Sequence, residues 1–392
     1  MRGSLLVTVT LGVLAGAALA AAQDEPITVG IRTTIHSAVL GEDRDLQIST
    51  PAGYARSRGR YPVVYVLDGN AHFLQTVADT RFLAGQGLAP EMIVVAVATS
   101  ANRGRDLSPP TKNEADLKDI PGGGGADRFR QFLVSELRPF IEGRYRTEPY
   151  RILIGWSLGG LFAIHTLLEQ PDAFDACFAI SPSLWWDNEA EVAKAERLWR
   201  SRVTSKNVLY LTHGREYNGI PRSVQSLTRV LGRTAPPGLR WEFEYLPKDG
   251  HSSSPFRAIY NGFDFLFQGW GLPEDTAIPS PAELERHYAR LTEAFGFPCR
   301  PDEMRINGMA YALLGRKRIA EAIALFEYNA RLYPESPNVY DSLADAQEAD
   351  GRLDAALENC RKACRLAQEQ SDSRIETLRM HLERVSRKVQ ER

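Results

Sequence analysis

The sequence predicts an α/β fold, a mainly parallel sheet with helices on both faces, followed by a small all-α unit. Three observations carry this expectation. Short, nearly continuous apolar runs recur between residues 61 and 247, as in strands buried on both faces. The segments between them keep one apolar face, as helices do. After residue 281 the pattern becomes purely helical, with similarity at an offset of 34 residues.

Taken in order, "MRGSLLVTVTLGVLAGAALAAAQDEP" sets one arginine before an apolar run, with Ala18, Ala20 and Ala22 offering A-x-A cleavage sites. This reads as a signal peptide over 1–22, with a mature chain starting near Ala21 or Gln23 in a secreted or periplasmic location. The competing reading is an uncleaved anchor helix. No other stretch is apolar for long enough to span a bilayer, so no membrane span is expected after cleavage. Residues 26–50 alternate like antiparallel strands joined by a turn at Gly41. The buried-strand runs are "YPVVYVLDG" (61–69), "EMIVVAVAT" (91–99), "YRILIG" (150–155), "ACFAIS" (176–181), "KNVLYLTHG" (206–214) and "RWEFEYLP" (240–247). Among the helices, "ADRFRQFLVSELRPFIEGRY" places Phe129, Phe132, Leu133, Leu137, Phe140 and Ile141 on one face. Strand–helix alternation of this kind makes residues 23–272 one α/β domain.

"LPEDTAIPSP" then reads as a linker, assigned to 273–281. In 282–392 an offset of 34 pairs Met309 with Leu343, Ala310 with Ala344, Ala322 with Ala356, Ile323 with Leu357 and Leu332 with Leu366. A 34-residue period of paired helices is the tetratricopeptide signature, a generic helical bundle being the alternative. Two repeats fall short of the three that usually stand alone, so this unit is expected to pack on the α/β domain.

Composition excludes several classes. Lys plus Arg is 47 against 49 for Asp plus Glu, so no basic excess points to nucleic acid. With 43% hydrophobic and 24% charged residues the chain is globular rather than disordered. Its four cysteines form no disulfide framework for this length: Cys360 and Cys364 suit apolar packing, and a Cys177–Cys299 bridge has no argument behind it. There is no H-E-x-x-H, CxxC pair or EF-hand loop, and "PGGGGADR" lacks the Lys-Ser/Thr of a phosphate loop. No metal and no cofactor is expected.

The chemistry centres on "RILIGWSLGG" (151–160), a G-x-S-x-G motif between a buried strand and an apolar helix. Glycines where the two backbones must approach drive the serine hydroxyl outward, and the first N–H groups of the helix suit a developing oxyanion. Ser157 is therefore the candidate nucleophile. A serine needs a base oriented by an acid, in the chain order Ser, acid, His for a nucleophile on such a turn. Among the seven histidines, His251 in "LPKDGHSSSP" alone follows the last strand. His72 and His213 follow strands too, but lie before the place expected for the base. The first carboxylate after "NVLYLTHG" is Glu216, with Asp187 in "SLWWDN" as its competitor. The N–H of Leu158 and, past the Gly69 turn, the N–H of Asn70 are the candidate oxyanion donors.

On "YPVVYVLDGNAHF", "NRGRDLSPP", "GWSLGG", "SPSLWW" and "DGHSSSP", residues 27–270 resemble the Putative esterase family of α/β-hydrolases. That family takes in esterase D, enterobactin and related siderophore esterases, and mycolyltransferases. The tail "AIALFEYNARLYPESPNVYDSLADAQEADGRLDAAL" looks like the tetratricopeptide tail of secreted bacterial members. The resemblance implies a triad of Ser157, Glu216 and His251, with oxyanion donors at Asn70 and Leu158. It sets Arg103, Arg105, Trp185 and Trp186 near the substrate cleft, against surface solvation for the arginines and core packing for the tryptophans. The implied activity is hydrolysis of a small-molecule carboxylic ester, a siderophore triester among the candidates. An acyltransferase would use the same residues. A binding protein would present its helical tail to a protein partner beside an inactive domain.

Overall fold

The computed structural model describes residues 26–55, 57–99, 101–217, 219–272 and 277–392. The signal-peptide segment 1–22 and residues 273–276 of the expected linker lie outside the described residues. Eight strands form one sheet: β1 (Ile31–Ser37), β2 (Glu42–Ser49), β3 (Tyr61–Val66), β4 (Ile93–Val97), β5 (Thr147–Trp156), β6 (Ala176–Ile180), β7 (Val208–Gly214) and β8 (Arg240–Leu246). The spatial order is β1-β2-β4-β3-β5-β6-β7-β8. The β1–β2 and β2–β4 pairs are antiparallel, and the rest are parallel. The α/β expectation with two leading antiparallel strands holds.

The central strands read as unbroken apolar runs because helices cover both faces of the sheet. On β3, Val63 and Tyr65 enter one core and Val64 and Val66 the other. On β4, Ile93, Val95 and Val97 oppose Val94 and Ala96 in the same way. The side-chain period of two survives, with both phases buried. Each such Val or Phe taken out of water stabilises by about 1.5–3 kcal/mol.

Helices α1 (Gly69–Gly85), α2 (Arg103–Leu107), α3 (Glu114–Asp119), α4 (Ala126–Phe132) and α5 (Arg138–Arg144) precede and follow β4. A π-helical turn at Leu133–Leu137 joins α4 to α5, so the apolar face seen in sequence runs through one continuous helical segment. Then α6 (Leu158–Glu169), α7 (Trp186–Ser201), α8 (Ile220–Thr234) and α9 (Ser254–Leu266) alternate with strands. Helices α4 to α8 cover one face of the sheet, and α1 and α9 the other.

The C-terminal unit is all helical: α10 (Pro281–Phe295), α11 (Glu303–Gly315), α12 (Ile319–Leu332), α13 (Pro337–Ala349), α14 (Leu353–Glu369) and α15 (Ile375–Gln390). Ala310 and Ala344 are fully buried, as are Ala322 and Ala356, whereas Met309 is less buried than Leu343 and Leu357 less than Ile323. Only part of this unit is cored by itself: α13, α14 and α15 close two small clusters, around Val339 and Ala363 and around Ala344 and Cys360. Phe295 packs on Phe267 at 5.4 Å, Trp270 at 5.3 Å and Tyr150 at 5.3 Å, and His287 Nε2 meets the Trp270 carbonyl at 2.9 Å. Helices α10 to α13 thus share a core with the α1–α9 face of the sheet. No helix among the described residues is long and apolar enough to cross a membrane.

Candidate active site

The carboxyl ends of β3, β5, β6, β7 and β8 lie along one edge of the sheet and deliver the candidate residues to it. Ser157 follows β5 and precedes α6, with φ 60° and ψ −115°. A non-glycine residue reaches this conformation only where the surroundings impose it. Its N–H donates to the Ile180 carbonyl at 2.9 Å, and its carbonyl accepts from Ser183 N and Leu161 N, both at 3.0 Å. The turn is closed so tightly that a Cβ on Gly155 would lie 2.0 Å from the Gly159 carbonyl oxygen. Glycine is required there by lack of space.

His251, in the loop after β8, sets Nε2 3.1 Å from Ser157 Oγ, and its Nδ1 lies 2.8 Å from Glu216 Oε2. Glu216, after β7, is buried at 1% side-chain exposure, while His251 keeps 29%. Its other oxygen accepts from Ser181 Oγ at 2.6 Å and from Gly214 N at 3.0 Å. Burial pushes the Glu216 carboxyl up, but the hydrogen bonds from His251, Ser181 and Gly214 outweigh it and hold the group below its ordinary value. A carboxylate facing Nδ1 makes that nitrogen the protonated one. Nε2 is then left with a lone pair toward the serine, as a general base requires.

Leu158 is the first residue of α6 and Asn70 the second of α1. Main-chain N–H groups in a helix's first turn have no intrahelical acceptor and carry the positive end of the helix dipole. Asp68, at φ 53°, makes the sharp exit from β3 that starts α1. A polar cavity of about 290 Å³ opens beside Gly69 and Asn70, lined also by Arg32, Asp45, Gln47, Ala96 and Ala98.

The structure separates the remaining candidates. Asp187 accepts from Thr111 Oγ1 at 2.7 Å, and its N–H donates to Asp116 at 2.6 Å, so it does not meet His251. Arg103 grips Asp68 with two bonds of 2.8 Å and donates to the Trp156 carbonyl at 3.0 Å. Arg105 is paired with Glu42 and Asp106. Both guanidinium groups hold the loop rather than standing free for a ligand. Trp186 is 1% exposed and donates its indole N–H to the Pro109 carbonyl. It is a core residue, a correction to its expected place in the cleft. Trp185 stays half-buried against the loop at Gly219.

His213 donates to the Gly214 carbonyl at 2.7 Å from inside β7, and His165 sits between Glu191 and Asp127. His72 is buried and meets the Trp156 ring edge-on at 5.9 Å. All four cysteines are free, so no Cys177–Cys299 bridge forms. Among the described residues one group has metal-ligand proximity: Asp345, Glu348 and His381, on α13 and α15. Its carboxylates are already paired with Arg384 and Lys388.

Three contributors escaped the sequence reading. Ser181 and Ser183 come from the "SPS" after β6; the second hydroxyl lies 3.3 Å from Ser157 Oγ. Trp156, the variable letter of the motif, donates its indole N–H to the His251 carbonyl at 2.9 Å, with the two rings 4.8 Å apart. Adjacency to Ser157 was the available signal, but alternation along β5 gives no hint that the indole reaches the histidine loop.

Comparison with known proteins identifies the family and the fold. The family model described as "Putative esterase" matches residues 37–220. Ferri-bacillibactin esterase BesA of Bacillus subtilis is 31% identical over 218 residues, which span 49% of this chain and 74% of that protein. The chain belongs to the Putative esterase family. Siderophore triacetylfusarinine C esterase of Aspergillus fumigatus is 35% identical over 179 residues, 42% of this chain and 60% of the relative's length. A solved structure of an IroE-like serine hydrolase from Shewanella oneidensis superposes with TM-score 0.69 at 25% identity, covering 77% of this chain and 99% of that one. A protein from Capnocytophaga ochracea covers 89% of this chain at TM-score 0.59 and 18% identity, a likeness of fold alone. The esterase-family chain thus bears out the family and the α/β-hydrolase fold expected from its motifs.

Proposed function

We propose that the chain is an exported serine hydrolase of small-molecule carboxylic esters, with Ser157 as nucleophile, His251 as general base and Glu216 as the orienting acid. The observation that carries this reading is the unbroken relay from Ser157 Oγ to His251 Nε2 (3.1 Å) and from His251 Nδ1 to Glu216 (2.8 Å). Ser157 Oγ attacks the ester carbonyl carbon while its proton passes to His251 Nε2. The oxyanion is held by the N–H groups of Leu158 and Asn70. The carbon–oxygen bond to the alcohol breaks, and the alcohol leaves with the proton from His251. Water, deprotonated by His251, then attacks the acyl carbon and returns Ser157 to its hydroxyl form.

Siderophore esters are the first class to assay, because two similar proteins carry siderophore esters in their names. The 1–22 segment supports export. The 34-residue pairing supports a tetratricopeptide-like helical unit after an esterase domain ending near residue 272. A fluorophosphonate probe tests the enzyme reading: covalent labelling of the wild type and its loss in Ser157→Ala are expected. Labelling that persists in Ser157→Ala overturns it.

A further inference from the structure

Helices α1 and α9 both start at the sheet edge that carries Ser157 and run back side by side across the same face. Gln75 on α1 joins them, its amide donating to the carbonyls of Pro255 at 3.2 Å and Phe256 at 2.5 Å. Leu74, Ala78 and Phe82 recur at every fourth position of α1 and all face solvent, Leu74 at 65% and Phe82 at 54% exposure. On α9, Phe256 is 74% exposed, and Tyr260, four residues on, meets the Phe82 ring at 6.4 Å. Large apolar side chains scattered singly on a surface need no explanation, but a contiguous stripe does. This stripe begins one helical turn from Asn70 and five residues from His251.

We infer that the seam between α1 and α9 is the acyl-chain subsite, so that the preferred esters carry an extended apolar acyl arm. The inference rests on the ester-hydrolase reading and narrows its substrate class. The position of the seam selects the occupant. An acyl group whose carbonyl oxygen sits at Asn70 N–H and whose carbon is attacked by Ser157 has its chain directed past the first turn of α1, onto Leu74 and Phe256. From Leu74 to Phe82 the seam is about 12 Å long at the helical rise, the reach of an extended chain of roughly ten carbons. The stripe is an exposed surface with Gln75 and Asp79 beside it, bonded at 3.3 Å, so each methylene leaves water only in part. A gain of about twofold per methylene is therefore expected, below the roughly fourfold that full burial would supply.

Nitrophenyl esters from acetate to decanoate test this in wild type and in the Leu74→Ser/Phe256→Ser double variant. Both positions are exposed, so the variant retains its fold, checked by its melting temperature. The wild type is expected to gain at least tenfold in kcat/KM from acetate to octanoate. The variant should lose at least tenfold on decanoate while keeping acetate hydrolysis within twofold. A flat chain-length profile, or an equal loss on every ester, overturns the inference. So does a variant that keeps the chain-length profile but abolishes sedimentation with phosphatidylglycerol vesicles or changes the oligomeric mass, since the seam then covers a lipid surface or a second copy. Acetate hydrolysis lost in Ser157→Ala upholds the hydrolase reading whatever the chain-length result. Absence of Ser157-dependent hydrolysis on every ester overturns both.

Discussion

Replacing Glu216 by glutamine tests the relay where the structure is most specific. The carboxylate accepts from His251 Nδ1 at 2.8 Å, Ser181 Oγ at 2.6 Å and Gly214 N at 3.0 Å, in a site with 1% side-chain exposure. Glutamine has the same shape but only one accepting oxygen. Ser181 and Gly214 both donate to Oε1, so that oxygen remains the carbonyl and the NH₂ is turned toward Nδ1. The imidazole then presents a lone pair at Nδ1 and a proton at Nε2, where it cannot take the proton of Ser157. A wrong-tautomer histidine in a serine triad lowers kcat by about 10⁴ with geometry intact, equivalent to roughly 5 kcal/mol of transition-state stabilisation. We therefore expect Glu216→Gln to lose between about 10³ and 10⁴ in kcat on nitrophenyl acetate, with KM changed less than about threefold. Asp187→Asn should keep kcat within about twofold, because Asp187 is bound to Thr111. Initial rates, with a thermal melt of each variant to show that it is folded, make the measurement. A Glu216→Gln enzyme within tenfold of wild type, or an equal loss in Asp187→Asn, would refute the reasoning.

Trp156→Phe keeps a ring beside His251 but removes the 2.9 Å indole bond to its carbonyl; kcat should fall about 3–10-fold, the worth of one hydrogen bond, with KM unchanged in steady-state kinetics. Arg103→Met leaves Asp68, at 10% exposure, with only the Thr99 hydroxyl and no cation; urea unfolding should show a loss of about 2–4 kcal/mol. An intact stability curve with a raised KM would instead make Arg103 a substrate ligand. Gly155→Ala puts a methyl group 2.0 Å from the Gly159 carbonyl oxygen; a loss of more than about 3 kcal/mol is expected, read as a lowered melting temperature or failure to fold. His381 donates to Asp341, and that bond, with Cys360 nearby, pushes the imidazole up to about 10. A raised folded value means that this stabilisation is complete below the unfolded value near 6.5 and is lost as pH rises through about 10. Stability should decline over that window in wild type and not in His381→Gln, measured by denaturation at pH 6 to 10.

Much of this molecule was legible without coordinates, because its features are local. An apolar run such as "YPVVYVLDG" is a strand buried on both faces wherever it occurs, and period and length alone identify it. The glycines around Ser157 announce a sharp turn, and at Gly155 no larger residue has room. Chain order narrowed the candidates to His251 for the base and Glu216 or Asp187 for the acid, since each follows a strand whose carboxyl end lies on the edge that carries Ser157. The choice between Glu216 and Asp187 was not local. It depended on the left-handed residues at Asp187, Asn188 and Glu189 that turn this carboxylate toward Thr111. Nor could sequence tell that Trp186 fills the core while Trp185 does not, because the two sit at an irregular turn, with Asp187 to Glu189 left-handed, and only packing decides which faces inward. Arg103 and Arg105 looked like ligands for a substrate until folding brought Asp68, Glu42 and Asp106 to them, from 35, 63 and one residues away along the chain. Sequence by itself determined the elements, their order and the chemistry they could carry. Tertiary structure alone decided which charges were already neutralised and which side chains gather around Ser157, because both depend on contacts between residues far apart in the chain.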